Sequence, residues 1–399
     1  MRILFLTSEI PYPADDGGRI KTLSILEYLR PRHSLTLVCF RRRALDDDES
    51  HWVERFGNVT TIPLNRGRSP WNLARSYVSG VPLSIWRNRS DAMHASVRRA
   101  LRSTEFDCVF IDRWLMAQYL PKGIPGFKLL HEHNAEYVMW ERQAELERNP
   151  LLRPLLRLEA ARVRRYEARI LRTFDAVFAV SDADREALTA IGAESSRVLL
   201  LPNLPDPGLL DRRALNFTDT PPVILYFGTL SWQPNIEGLV YFMRSVLPLV
   251  RQMMPEARLL IAGKGAPTGL VRLAADTDGV DYRGPVRDAE ALYRQARVFV
   301  ETTRSGGGTK IKLLNALARG LPVVATPEAI AGLDLAPGDH LLSGDDAQSL
   351  ADAAVRLLSD AALCCRLSES GRALIHAHYT PQTAFIPLEE ALTGAIARA

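Results

Sequence analysis

The chain predicts an α/β protein built from two doubly wound, Rossmann-like domains, and three observations carry that expectation. Short runs of valine, isoleucine and leucine alternate with longer amphipathic stretches from end to end, the order that builds parallel sheets covered by helices on both faces. At 399 residues the chain is long enough to bury two cores. Near its middle, Pro202-Asn203-Leu204-Pro205-Asp206-Pro207-Gly208 gathers three prolines and a glycine, which reads as a linker. The expected division is therefore 1–203, 204–380 and a closing helical segment 381–399.

The apolar runs predict strands at Arg2–Leu6, Leu35–Phe40, Val59–Ile62, Cys108–Ile111, Lys128–Leu130, Ala176–Val180 and Val198–Leu201 in the first half. In the second half they predict Val223–Phe227, Leu259–Ala262, Val280–Tyr282, Val298–Val300 and Val323–Ala325. Between 151 and 172, leucines, Val163, Tyr166 and Ile170 recur at helical spacing, so a helix is expected with that face against the core. Two such domains facing a central cleft would bind ligands where their strand ends meet it.

The strand Val298–Val300 runs into Gly306-Gly307-Gly308, after which a helix is expected to open at Thr309 with Lys310 and Lys312 in its first turn. Glycines let a backbone approach an anion, and a helix N-terminus offers unpaired N–H groups and a positive dipole end. Lysine there opposes the dipole unless an anion is held. The alternative is a plain surface loop. Neither the P-loop spacing nor Gly-x-Gly-x-x-Gly is present. Gly320-Leu321-Pro322 then stops the helix.

A second glycine turn, Gly17-Gly18-Arg19, follows the first strand; a tight turn alone would explain it. His131-Glu132-His133-Asn134-Ala135-Glu136 follows the strand Lys128–Leu130 and so emerges at a sheet's carboxyl edge. A metal site and a structural histidine are both open readings there, the former lacking a third ligand at known spacing. No Asp-x-Asp pair stands out to hold a cation. Cys39, Cys108, Cys364 and Cys365 form no metal spacing and read as buried free thiols.

Residues 304–326, with Gly-Gly-Gly-Thr-Lys-Ile-Lys-Leu-Leu-Asn-Ala-Leu-Ala-Arg-Gly-Leu-Pro-Val-Val-Ala-Thr at their heart, resemble the nucleotide-sugar segment of the family 4 retaining glycosyltransferases, enzymes of GT-B fold. Val223–Phe227 with Gly228-Thr229-Leu230-Ser231-Trp232-Gln233-Pro234-Asn235 resembles the start of that family's second domain, and Pro255–Gly263 its next strand. The resemblance implies a nucleoside-diphosphate sugar as co-substrate, no cofactor and no metal. It implies donor contacts at Gly228, Gly263, Gly306, Gly307, Gly308, Thr309, Lys310, Lys312 and Asn315, with Lys312 also catalytic. His133 matches the histidine that approaches the transferred sugar, Gly17, Gly18 and Arg19 an acceptor or phosphate loop, and 381–399 a helix crossing back to the first domain. Asn315 departs from the family, standing where a second glutamate grips the donor ribose, while the first glutamate position falls on Gly307. No basic residue follows Gly228 closely, so Lys310, Lys312 and the helix end would carry the diphosphate.

Residues 1–200 hold 31 Lys and Arg against 25 Asp and Glu, the remainder 19 against 21. Between 66 and 102 eight arginines meet only Asp91 and are interleaved with Trp71, Tyr77 and Trp86, which suits an anionic membrane surface or a lipid-diphosphate acceptor, with a solvated face as the alternative. With no apolar run of membrane-spanning length, the chain reads as cytoplasmic, in peripheral contact with the inner face of the cell membrane. No nucleic-acid motif is present. The expected activity is retaining transfer of a sugar to a glycan, lipid-linked or small-molecule hydroxyl. Its alternatives are a sugar-nucleotide epimerase of the same architecture and a degenerate scaffold that binds without turnover.

Overall fold

Strand runs that are apolar on both faces end up buried on both faces. The computed structural model describes residues 1–14, 16–64, 70–147, 149–286, 288–304 and 310–396, and they form two units, 1–202 with 384–399 and 203–383. The first contains a seven-stranded sheet of β1 (Arg2–Thr7), β2 (Ser34–Arg41), β3 (Val59–Pro63), β4 (Cys108–Asp112), β5 (Phe127–His131), β6 (Ala176–Ala179) and β7 (Val198–Leu200). Its order is β3-β2-β1-β4-β5-β6-β7, and every pairing is parallel. Ile3 to Leu6 and Val109 to Ile111 are completely buried, as a sheet sandwiched between helix layers requires.

The second unit repeats the design with β8 (Val223–Phe227), β9 (Arg258–Ala262), β10 (Val280–Gly284), β11 (Val298–Glu301), β12 (Val323–Ala325) and β13 (Leu342–Ser343), in the order β10-β9-β8-β11-β12-β13. In both sheets the order reverses beside the first strand, between β1 and β4 and between β8 and β11. In doubly wound sheets the loops leaving such strand ends diverge, and that is the position where these folds take ligands. The two-residue β13 is an element that the sequence does not announce.

The C-terminal segment returns to the first unit. Phe385 packs edge-on against Tyr28 at 5.1 Å between ring centres, and the helix Ile386–Ile396 follows. Two other elements correct the sequence reading. The helix after the triple glycine begins at Ile311, with Lys310 as its N-cap, and runs to Arg319; Gly306, Gly307, Gly308 and Thr309 lie outside the described residues. The helix Leu152–Leu171 buries Val163, Ile170 and Leu171, yet Leu151, Leu152, Leu155 and Leu158 stay exposed, so only its second half serves the core.

Candidate functional site

Each switch point carries a buried carboxylate that ends an apolar strand. In the first unit it is Asp112, the last residue of β4 and fully buried. Its Oδ2 accepts from Thr7 Oγ1 at 2.8 Å, at the end of β1, and from Thr22 Oγ1 at 2.7 Å, on the helix Gly17–Leu29. Its Oδ1 lies 2.8 Å from both His131 Nδ1 and His133 Nε2. Burial would raise the Asp112 carboxyl, but His133 and His131 hold it well below the usual carboxylate range. Burial drives His131 down to about 3 and lowers His133 against the pull of Asp112. At neutral pH His131 is therefore an uncharged imidazole donating its Nδ1–H to an anionic carboxylate.

Lys21, also buried, donates to the carbonyls of Leu201, at 2.8 Å, and Pro202. Burial lowers its ammonium well below the ordinary lysine value, with Asp112 opposing. Asp112 is the third group that the His131-Glu132-His133 motif lacked: one ligand atom from each of Asp112, His131 and His133 lies within 4.8 Å of the others. His131 Nδ1 and His133 Nε2, however, already serve the same carboxylate oxygen, while His131 Nε2 is buried with no hydrogen-bond partner. Beyond them burial pushes Glu136 up to about 7 and Glu167 to about 8.

Gly17 and Gly18 open the helix capped by Asp16, whose Oδ1 accepts from the Arg19 N–H at 3.0 Å. A Cβ on Gly18 would sit 2.2 Å from Arg113 Nη2, so glycine is what lets that guanidinium lie on the backbone. Arg113 itself holds a positive φ of 75°, and Arg19, Arg113 and Arg42 all converge on Glu9, at 3.3, 3.4 and 3.7 Å. Arg19 thus belongs to an arginine cluster around one carboxylate.

In the second unit the strand-end carboxylate is Glu301, fully buried at the end of β11. Its Oε1 accepts from the hydroxyl and N–H of Thr303, and its Oε2 is 2.8 Å from Lys312 Nζ. Lys312 Nζ also donates to Tyr226 OH at 2.9 Å and Asn235 Oδ1 at 2.6 Å, so the ammonium sits among one carboxylate and two neutral acceptors. Burial pulls against the ammonium, but Glu301 and Tyr226 raise the Lys312 pKa on balance. With a side chain 12% exposed, Lys312 is a fixed, charged cation rather than a mobile surface lysine.

Gly228 and Gly263 meet beside Lys312 at the ends of β8 and β9. A Cβ on Gly263, at φ 150°, would fall 1.8 Å from the Gly228 carbonyl oxygen, and one on Gly228 would lie 3.1 Å from Lys312 Cδ. The ends of β8 and β9 approach this closely only as glycines. Asn315 projects one turn along from Lys312, and its Oδ1 accepts from the Asp206 N–H at 2.8 Å. The structure therefore brings together Gly228, Gly263 and Lys312 in one unit and His133, Asp112 and Lys21 in the other. Asp112 and Glu301 are the residues that motif reading missed; their signal is a carboxylate closing an otherwise apolar strand.

Residues 16–204 match the family model of the glycosyl transferase 4-like domain, and residues 221–360 that of the glycosyl transferases group 1. A protein of Klebsiella pneumoniae described as an uncharacterized 44.6 kDa protein in the cps region is 24% identical over 359 residues, covering 86% of this chain and 88% of that one. A Corynebacterium glutamicum GDP-mannose-dependent monoacylated alpha-(1-6)-phosphatidylinositol monomannoside mannosyltransferase is 30% identical over 190 residues, 45% of this chain and 49% of its own. Among solved structures, sucrose-phosphate synthase from Thermosynechococcus elongatus superposes with a TM-score of 0.70 over the whole of both chains at 19% identity. Anabaena HepE in complex with UDP and glucose gives 0.64 at 16% identity, over 99% of this chain and all of its own. These likenesses show the two-domain GT-B fold.

Proposed function

The chain belongs to the group 1 glycosyltransferases of family 4, and on that premise we propose that it transfers a sugar from a nucleoside-diphosphate donor to an acceptor hydroxyl with retention of configuration, without a metal. One observation carries the donor assignment: a buried lysine, held charged by Glu301, stands with Gly228 and Gly263 at the switch point of the second sheet. On donor binding, Lys312 exchanges a neutral partner, Tyr226 or Asn235, for a phosphate oxygen and keeps Glu301. Lys310 and the start of the helix Ile311–Arg319 complete the diphosphate site.

In this reading the bond from the anomeric carbon to the diphosphate breaks with its electron pair leaving on phosphate. The acceptor oxygen attacks the same face, and its proton passes to the departing phosphate oxygen. Charge grows on the phosphate as the bond lengthens, and a preorganised cation there lowers the barrier. His133, held by Asp112, contacts the sugar. Relatives named for GDP-mannose and solved with UDP support a nucleotide sugar as the donor class. The pathway is glycoconjugate or polysaccharide synthesis on a glycan, lipid-linked or small-molecule acceptor.

A thermal-shift panel of UDP, GDP, ADP, CDP and dTDP with their sugar conjugates tests the donor. A selective rise for one base is expected, and a flat panel across all of them would move the protein to a non-catalytic scaffold role. Asn315→Glu should tighten the selected nucleotide by about tenfold, since a carboxylate binds a ribose diol more strongly than an amide; no change would mean that position 315 does not touch the donor. Turnover should survive EDTA unchanged, and its loss with recovery on adding Mg²⁺ or Mn²⁺ would overturn the metal-free mechanism.

A further inference from the structure

We propose that the first unit docks on an anionic lipid bilayer through an uncovered apolar face made by the helix Pro70–Ser79 and the first two turns of the helix Leu152–Leu171. Large apolar side chains stand out in water along both segments. Trp71 is 75% exposed, Val78 91% and Leu151 80%, with Tyr77, Leu155 and Leu158 also exposed. Exposed apolar residues scattered singly need no explanation, whereas a contiguous group marks a contact surface.

The two segments share one surface. Arg162, buried on the long helix, donates to the Ser76 and Val81 carbonyls and lies 4.4 Å over the Tyr77 ring, while Glu159 accepts from the Leu83 N–H. Leu151, Leu155 and Leu158 precede Glu159 and Arg162 at helical spacing, so the stripe that grips the end of the shorter helix continues uncovered toward the N-terminus.

Charge selects the occupant. The segments 70–79 and 149–158 contain Arg75, Arg153 and Arg157 and no acidic residue, and all three arginines are exposed. A second copy docking by two-fold symmetry would set this basic face against itself. Acidic lipid satisfies both properties: leucine and tryptophan enter the headgroup–acyl boundary while arginine stems lie along it with guanidiniums on phosphate. The proposal stands on this surface alone and is independent of the donor assignment.

The test is sedimentation of the full chain with vesicles of phosphatidylcholine alone or mixed equally with phosphatidylglycerol, at low and high salt. Binding is expected only to the mixed vesicles, falling as salt rises. Leu151→Ser with Leu155→Ser, and separately Arg153→Gln with Arg157→Gln, should each weaken it by about tenfold or more, the arginine pair also flattening the salt dependence. All four positions are exposed, so the melting temperature and nucleotide-induced shifts of both variants should match the parent. Failure to bind the acidic vesicles at low salt would overturn the proposal. So would binding that neither pair weakens, or a dimer in sizing experiments that the leucine pair dissolves.

Discussion

Glu301→Ala should destabilise the second unit by about 3–5 kcal/mol, the usual consequence of removing one partner from a buried ion pair. Lys312 would keep two neutral acceptors, Tyr226 and Asn235, but no counter-charge, and Thr303 would lose its acceptor. Lys312→Ala alone errs in the opposite way, abandoning a fully buried carboxylate. Either single variant therefore mixes a folding defect with any loss of donor binding. Glu301→Leu combined with Lys312→Met removes both charges and should recover most of the lost stability, because apolar groups of similar volume replace buried pairs at little net change. Chemical denaturation of the three variants measures the effect, and a drop below about 1 kcal/mol for Glu301→Ala would show the pair to be solvated. The double variant then isolates chemistry. If it folds and shows no nucleotide shift, Lys312 binds phosphate; if the shift persists, Lys312 is an internal strut and the diphosphate rests on the helix end.

How this was readable from residues differs between fold and site. Strands such as β1 and β8 are uninterrupted apolar runs, and their type follows from burial on both faces. Asp112 and Glu301 were legible only in part: each closes such a run, Cys-Val-Phe-Ile-Asp and Val-Phe-Val-Glu, on the strand that adjoins the first strand of its sheet. Their partners are 105 and 90 residues away for Thr7 and Thr22, separations that no local pattern encodes. Lys312 was visible as a cation at a helix start, but its engagement by Tyr226 and Asn235 depends on β8 and its following helix returning beside β11. The long helix misled for another reason. Its leucines keep one periodicity throughout, while the body of the unit covers only the second half, so spacing alone cannot separate a core face from an uncovered one.

The stability of the first unit should fall as pH drops from neutrality, and His131 sets the slope. In the unfolded chain this imidazole takes up a proton near its ordinary value, about 6.5. In the fold, burial lowers it to about 3. Between those values the unfolded state binds one more proton than the native state, so stability rises with pH and is lost on acidification, by about 1.4 kcal/mol per unit for one proton. His133, also lowered by burial, adds in the same direction. Asp112, held well below the usual carboxylate range, extends the loss further down, since its contribution is complete only above the unfolded aspartate value and disappears as pH falls through its native one. His131→Asn keeps a donor for Asp112 and cannot titrate, so it should cut the slope between about 6.5 and 4 by roughly one proton's worth at some fixed loss of packing. Asp112→Ala should cost more at every pH, because it takes the acceptor from the Thr7 hydroxyl and from two imidazoles in a buried site, at about 1–3 kcal/mol for each unsatisfied group, while Thr22 keeps the Gly18 carbonyl. Denaturation midpoints of the three proteins across pH 4–8 decide it. An unchanged slope in His131→Asn would mean that the imidazole takes up its proton equally in the folded and unfolded chain, overturning its assignment as an uncharged donor to Asp112 throughout that range.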